Sequence, residues 1–125
     1  HCSAFGTTRM MRSMIGFDFG EIVLVCFPFT DQRGSKQRPA VVVSSTAYNR
    51  TKPDVILMAV TSRIRKELAL GEAIIDGWKT ANLLKPSAIK PVVFTIEQQL
   101  VVRRLGYLIQ EDEAKLRETI SKIVG

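Results

Sequence analysis

The sequence predicts a mainly β domain, a small curled barrel carrying one helix at its C-terminal end. Three observations carry this. Short apolar runs rich in β-branched residues recur along the chain, separated by Pro, Gly and Asn breakers. Helical periodicity appears only in the last stretch, which leaves no crossover helices for a parallel sheet. The 125 residues fill one domain, read as residues 16–125 behind a 1–15 leader expected to be disordered.

Taken in order, Glu21–Phe27 (EIVLVCF) reads as a buried strand stopped by Pro28. Residues 28–37 hold Pro, Gly and several charged or amide side chains, which predicts a loop. Pro39–Ser45 and Val55–Thr61 follow as strands, with Asn49, Pro53 and Asp54 breaking the chain between them. Glu67–Asp76 supplies another strand, ended by the turn signal Asp76-Gly77. Pro91 interrupts Ser87–Ile96 and predicts an edge position or a bend between two pairings. Gln98–Leu105 reads as the last strand, stopped by Gly106. From Glu113 to Val124, Leu116, Ile120 and Ile123 keep the helical period, behind Glu111, Asp112 and Glu113, which complement the helix dipole.

Composition excludes several function classes. With 46% hydrophobic residues the chain is not disordered. No apolar run approaches the ~18–20 residues of a membrane span. Eighteen Lys and Arg against 12 Asp and Glu give a net charge of +6 and a pI near 9.7, the footprint of a polyanion partner. Residues 1–66 hold ten basic and four acidic residues, and residues 67–125 hold eight of each, so the excess lies in the first half. Two cysteines and one histidine, at position 1, exclude a four-ligand zinc site and every His-dependent catalytic kit. There is no Walker-type or dinucleotide glycine motif, and the carboxylates lack two-metal spacing. The expectation is therefore no cofactor and no metal. No export signal is read in residues 1–13, which predicts a cytoplasmic protein. Cys26 reads as a buried inert thiol, Trp78 as core filler rather than a base-stacking platform, and Phe27 and Phe29 as a packed hinge around Pro28.

What remains is an arginine that opens one strand and a hydroxyl that closes the next. If the two strands around AYNRTKPD pair antiparallel, Arg38 meets Thr61 and Ser62 at one rim of the sheet. Arg63, Arg65 and Lys66 continue outward, and Arg33 and Lys36 overhang from the loop. A forked guanidinium, two hydroxyls and further cations suit a phosphodiester. The alternative is a solvated basic rim, with Arg38 capping carbonyls and Thr61 an ordinary strand residue. Ser87, after Pro86, is read as structural or RNA-contacting.

The blocks Gly20–Asp31, Gly34–Ser44 (GSKQRPAVVVS), Val55–Ser62 (VILMAVTS), Leu84–Pro91 (LKPSAIKP) and Arg104–Leu108 (RLGYL) occur in an order that resembles the MazF/PemK family of toxin endoribonucleases. That resemblance implies an SH3-like barrel with short helices and a C-terminal α-helix, a homodimer, and metal-independent cleavage of single-stranded RNA. It implies Arg38 and Thr61 as catalytic, and the rim placement adds Arg33, Lys36, Ser62, Arg63 and Ser87 as substrate-binding residues. It also implies a cognate acidic antitoxin as partner. Two other readings stand beside it: a non-catalytic toxin of the same fold acting on a protein target such as gyrase, and a nucleic-acid-binding module without turnover.

Overall fold

The structure, a computed structural model, describes residues 16–27, 36–64 and 67–125. The leader expected over residues 1–15 and most of the loop expected over 28–37 lie outside the described residues. Along the chain run β1 (Glu21–Phe27), β2 (Lys36–Val42), α1 (Thr46–Thr51), β3 (Asp54–Thr61), β4 (Ala73–Ile75) and β5 (Ser87–Glu97). A 3-10 turn at Gln98–Leu100, β6 (Arg103–Tyr107) and α2 (Gln110–Val124) complete it. The six strands form one sheet in the order β4-β5-β3-β2-β1-β6, with every pairing antiparallel.

Both faces of the sheet are apolar. Ile22, Val41, Met58, Val60 and Ile89 bury one face together with Ala73 and Ile75 of β4, Leu108 just past β6 and Leu116 of α2. The two edges of the sheet thus share one core. Val23, Val25, Ala40, Val42 and Leu57 point the other way into a second cluster with Phe17. This is why β1 reads as an unbroken apolar run: alternate residues serve opposite faces. The mainly β barrel-like architecture with a C-terminal helix is the expected one.

Several local expectations differ. β2 begins at Lys36 and ends at Val42, and Ser45 caps a short helix where a loop was expected. Its hydroxyl accepts from the Tyr48 N–H at 3.1 Å, the usual service of an N-cap serine. Buried Asn49 ties that helix down, donating to the Phe17 carbonyl at 2.7 Å and the Ser44 carbonyl at 3.1 Å. The strand expected over Glu67–Asp76 shrinks to Ala73–Ile75. The last strand moves to Arg103–Tyr107, with Gly106 inside it rather than ending it. Gly106 is needed there for contact, since a Cβ would lie 2.9 Å from the Ala81 carbonyl carbon and oxygen. Cys26 is half-buried rather than buried. Its side of β1 opens at the strand end, where Leu24 is also half-buried.

Pro91 behaves as expected. β5 runs through it, but pairing with β4 ends at Ile89, and the β3 register shifts between Met58 and Val60. Trp78 is half-buried against the core. Leu116 and Ile120 pack on the protein's own sheet, while Ile123 is 37% exposed.

Two buried carboxylates fix the frame. Asp112 accepts from the Asp76 N–H at 3.1 Å and the Gly77 N–H at 2.7 Å, binding the first turn of α2 to the segment after β4. Lys115 bridges Asp76 at 2.8 Å and Asp112 at 3.3 Å. Burial alone would lower the Lys115 pKa, but its hydrogen bonds to those carboxylates outweigh it and hold the ammonium above its ordinary value. Glu21 lies with its Oε2 3.0 Å from Arg104 Nε, an ion pair without hydrogen-bond alignment at that nitrogen. Burial pushes the Glu21 carboxyl up, countered in part by the Asp18 N–H and by Arg104. The Arg104 guanidinium also covers the Phe17 ring at 4.4 Å.

Candidate active site

The site begins where β2 and β3 part. Their pairing runs Val42–Leu57, Val41–Met58, Ala40–Ala59 and stops. The next residue outward is Pro39, which has no N–H to extend a ladder. Continuing the same register by two residues sets Arg38 opposite Thr61. Both are held from their outer sides: Arg38 pairs with Val25 on β1, and Thr61 with Ala88 on β5. The guanidinium and the hydroxyl are therefore carried by paired strands and face a gap in the sheet.

That gap opens a cleft of about 570 Å³ lined by Arg38, Thr61, Ser62, Arg63 and Ser87 among others. Five of the seven residues proposed from sequence thus come together. Arg33 lies outside the described residues. Lys36 is exposed at the start of β2 and is not part of the cleft lining.

The hydroxyls differ in availability. Thr61 Oγ1 accepts from the Arg63 N–H at 3.0 Å, which orients the hydroxyl and leaves its proton for an incoming acceptor. Ser87 is buried and donates to the Lys85 carbonyl at 2.8 Å. Its proton is used in holding Lys85 in place.

Sequence reasoning missed five polar residues on the same walls: Gln37, Asn82, Lys85, Lys90 and Arg103. Three are cations from the second half of the chain, whose net charge is zero. Counting charge by halves hid them, because none of the acidic residues of that half lines the cleft. Among the described residues the ion pairs are Arg104–Glu21, Lys115 with Asp76 and Asp112, Arg117–Glu113 and Lys122–Glu118. None involves Arg38, Arg63, Lys85, Lys90 or Arg103. The cleft thus holds five cations without a carboxylate partner among the described residues, above a floor that includes Leu24, Leu83 and Leu105. Among the described residues there is no group of three potential metal-ligating His, Cys, Asp or Glu. Among the described residues no helix is long and apolar enough to cross a membrane.

Solved structures share this architecture. An endoribonuclease in complex with its cognate antitoxin, from a mycobacterial species, superposes with a TM-score of 0.71 at 16% identity, covering 87% of this chain and 95% of that one. The Mycobacterium tuberculosis toxin MazF-mt6 gives 0.67 at 21% identity, covering 82% and 94%. A MazE-MazF structure from Deinococcus radiodurans gives 0.67 at 19% identity, covering 88% and 96%. At these identities the likeness is one of fold. No curated protein sequence matches the chain. The family model described as PemK-like, MazF-like toxin of type II toxin-antitoxin system matches residues 18–124. Everything from the residue before Phe19 to the end of α2 is thus accounted for by one model, and the chain belongs to the PemK-like, MazF-like toxin family.

Proposed function

We propose that this toxin is a metal-independent endoribonuclease that cleaves single-stranded RNA within the Arg38–Thr61 cleft. The observation that carries the reading is the set of five cations without carboxylate partners among the described residues, around one oriented hydroxyl. A cleft of that charge favours a polyanion over a neutral or acidic protein surface.

The chemistry asks little of the protein. RNA brings its own nucleophile, the 2′-hydroxyl, which attacks the adjacent phosphorus and expels the 5′-oxygen to leave a 2′,3′-cyclic phosphate. Arg38 presents two parallel donors to the phosphoryl oxygens as charge builds on them. Thr61 donates its free proton to the same group and fixes its orientation for in-line attack. Lys85, Lys90, Arg63 and Arg103 hold the flanking backbone. A homodimer, an acidic antitoxin that competes for the same cations, and a cytoplasmic site of action belong to this reading.

The test is incubation with single-stranded RNA in excess EDTA, with the product ends analysed for cyclic phosphate. Cleavage with cyclic ends is expected. Tight RNA binding without cleavage would instead indicate a binding module, and neither binding nor cleavage would favour a protein target.

A further inference from the structure

The wall of the cleft facing Arg38 has a feature that phosphate binding does not need. Asn82 is the one non-glycine residue with positive φ among the described residues, at 66°. Asparagine tolerates this conformation better than most side chains. It ends the turn segment that follows β4, whose preceding residue Ala81 packs against Gly106 of β6. Its Nδ2 donates to the Leu105 carbonyl at 2.7 Å. Because that partner can only accept, the bond fixes which end of the amide is nitrogen. One N–H and the Oδ1 are left on the same amide, with no partner among the described residues, on an exposed residue of the cleft wall.

The surroundings say what could meet such an edge. Leu24 of β1 pairs with Arg103 on one side and with Pro39 on the other. Arg103 and Arg38 therefore stand on the strands flanking β1, two inter-strand spacings or about 10 Å apart. Leu24, Leu83 and Leu105 line the same cleft. The cleft offers a cation at each end, an apolar floor between, and one pre-oriented donor–acceptor edge above that floor. A nucleobase has that complement: an apolar face, a donor and acceptor adjacent on its edge, and a phosphate on either side.

We propose that the floor between Arg38 and Arg103 seats one nucleobase next to the scissile phosphate, that Asn82 reads its edge, and that Arg103 holds the neighbouring phosphate. Asn82 is then a specificity-determining residue of this cleft. The inference rests on RNA being the ligand, as proposed above.

The test uses Asn82→Gly, which suits the positive φ and removes only the amide. Wild type and variant are given a randomised single-stranded RNA pool, and the cut sites are sequenced. In parallel, binding is measured to oligonucleotides carrying a 2′-deoxy block at the cut position and each of the four bases beside it. The wild type is expected to prefer one base at one position next to the cut, and the variant to lose about ten-fold of that discrimination while other positions keep theirs. Arg103→Ala should weaken binding to all four oligonucleotides equally. A folded Asn82→Gly that cuts or binds with unchanged base preference, or that is slowed equally on every sequence, overturns the assignment. So does a wild type whose binding ignores the base. If the wild type binds with base preference but does not cut, catalysis fails as a reading while the base seat is still decided by the binding arm.

Discussion

Arg38 and Thr61 stand across from one another on adjacent strands, two residues beyond the last ladder pair, Ala40–Ala59. Pro39 leaves the ladder without a donor at this point, and pairing with β1 and β5 keeps each strand in place. The Arg-Pro dipeptide thus has two jobs, the arginine lining the cleft and the proline keeping the sheet open beside it. Arg38→Ala should lower RNA cleavage by about 10²–10³-fold with an unchanged thermal midpoint, and Arg38→Lys should not restore it, since lysine lacks the fork. Single-turnover cleavage alongside a melting curve checks this, and an active, folded alanine variant would remove the arginine from the chemistry.

Salt dependence should report on the cations without carboxylate partners. Log affinity for a single-stranded oligonucleotide should fall with log salt by about 0.7 per phosphate neutralised. Lys85→Ala and Lys90→Ala should each flatten that slope by about one such step, whereas Lys122→Ala, at the far end of α2, should leave it alone. Titrations by fluorescence anisotropy at several salt concentrations measure it, and equal slopes for all three variants would contradict the electrostatic account of the cleft.

Gly106→Ala should act at a distance from the cations. The new methyl would lie 2.9 Å from the Ala81 backbone, so β6 and the turn carrying Asn82 must separate. Overpacking of this kind costs about 1–3 kcal/mol. Urea unfolding gives the stability loss. An unchanged midpoint would show that the two segments yield freely.

Asp112→Ala leaves the Asp76 and Gly77 amides without their acceptor and should destabilise by about 3 kcal/mol, with Asp112→Asn milder because its amide oxygen still accepts. The difference between the two midpoints in urea is the measurement.

Glu21 gives a pH signature of defined sign. Its folded pKa is raised above the ordinary 4.5 by burial, so the native state binds a proton more readily than the unfolded chain. Stability from this group therefore rises as pH falls from neutral through the raised value, and levels off below about 4.5. Relative to Glu21→Gln, the wild type should gain stability as pH falls from neutral toward 4.5, as read from paired denaturation curves. A gap that widens in the other direction would mean that the Arg104 pairing outweighs burial.

The sequence made some of this legible for physical reasons. β1 could be placed to the residue because a strand buried on both faces is a continuous apolar run with proline at its end. Arg38 and Thr61 could be brought together because one antiparallel connection joins the strands that carry them. The helix Thr46–Thr51 was not legible, since six residues are too few for a period and its support comes from Asn49 reaching Phe17. β6 was misplaced because a glycine that normally interrupts strands is here required by Ala81. Asn82 could not be found from sequence at all, because its orientation is set by Leu105, 23 residues away.

The placement of the ion pairs has a kinetic consequence. Three of the four carboxylates of α2, those of Asp112, Glu113 and Glu118, are matched by lysines and arginine of the same helix, while the cleft cations are matched by none among the described residues. The described part of the molecule is electrically lopsided, so an approaching polyanion feels a torque before it feels a contact. It turns the cleft toward itself during diffusion, and many glancing collisions become productive ones. Neutralising the rim would then slow capture much more than it would hasten release.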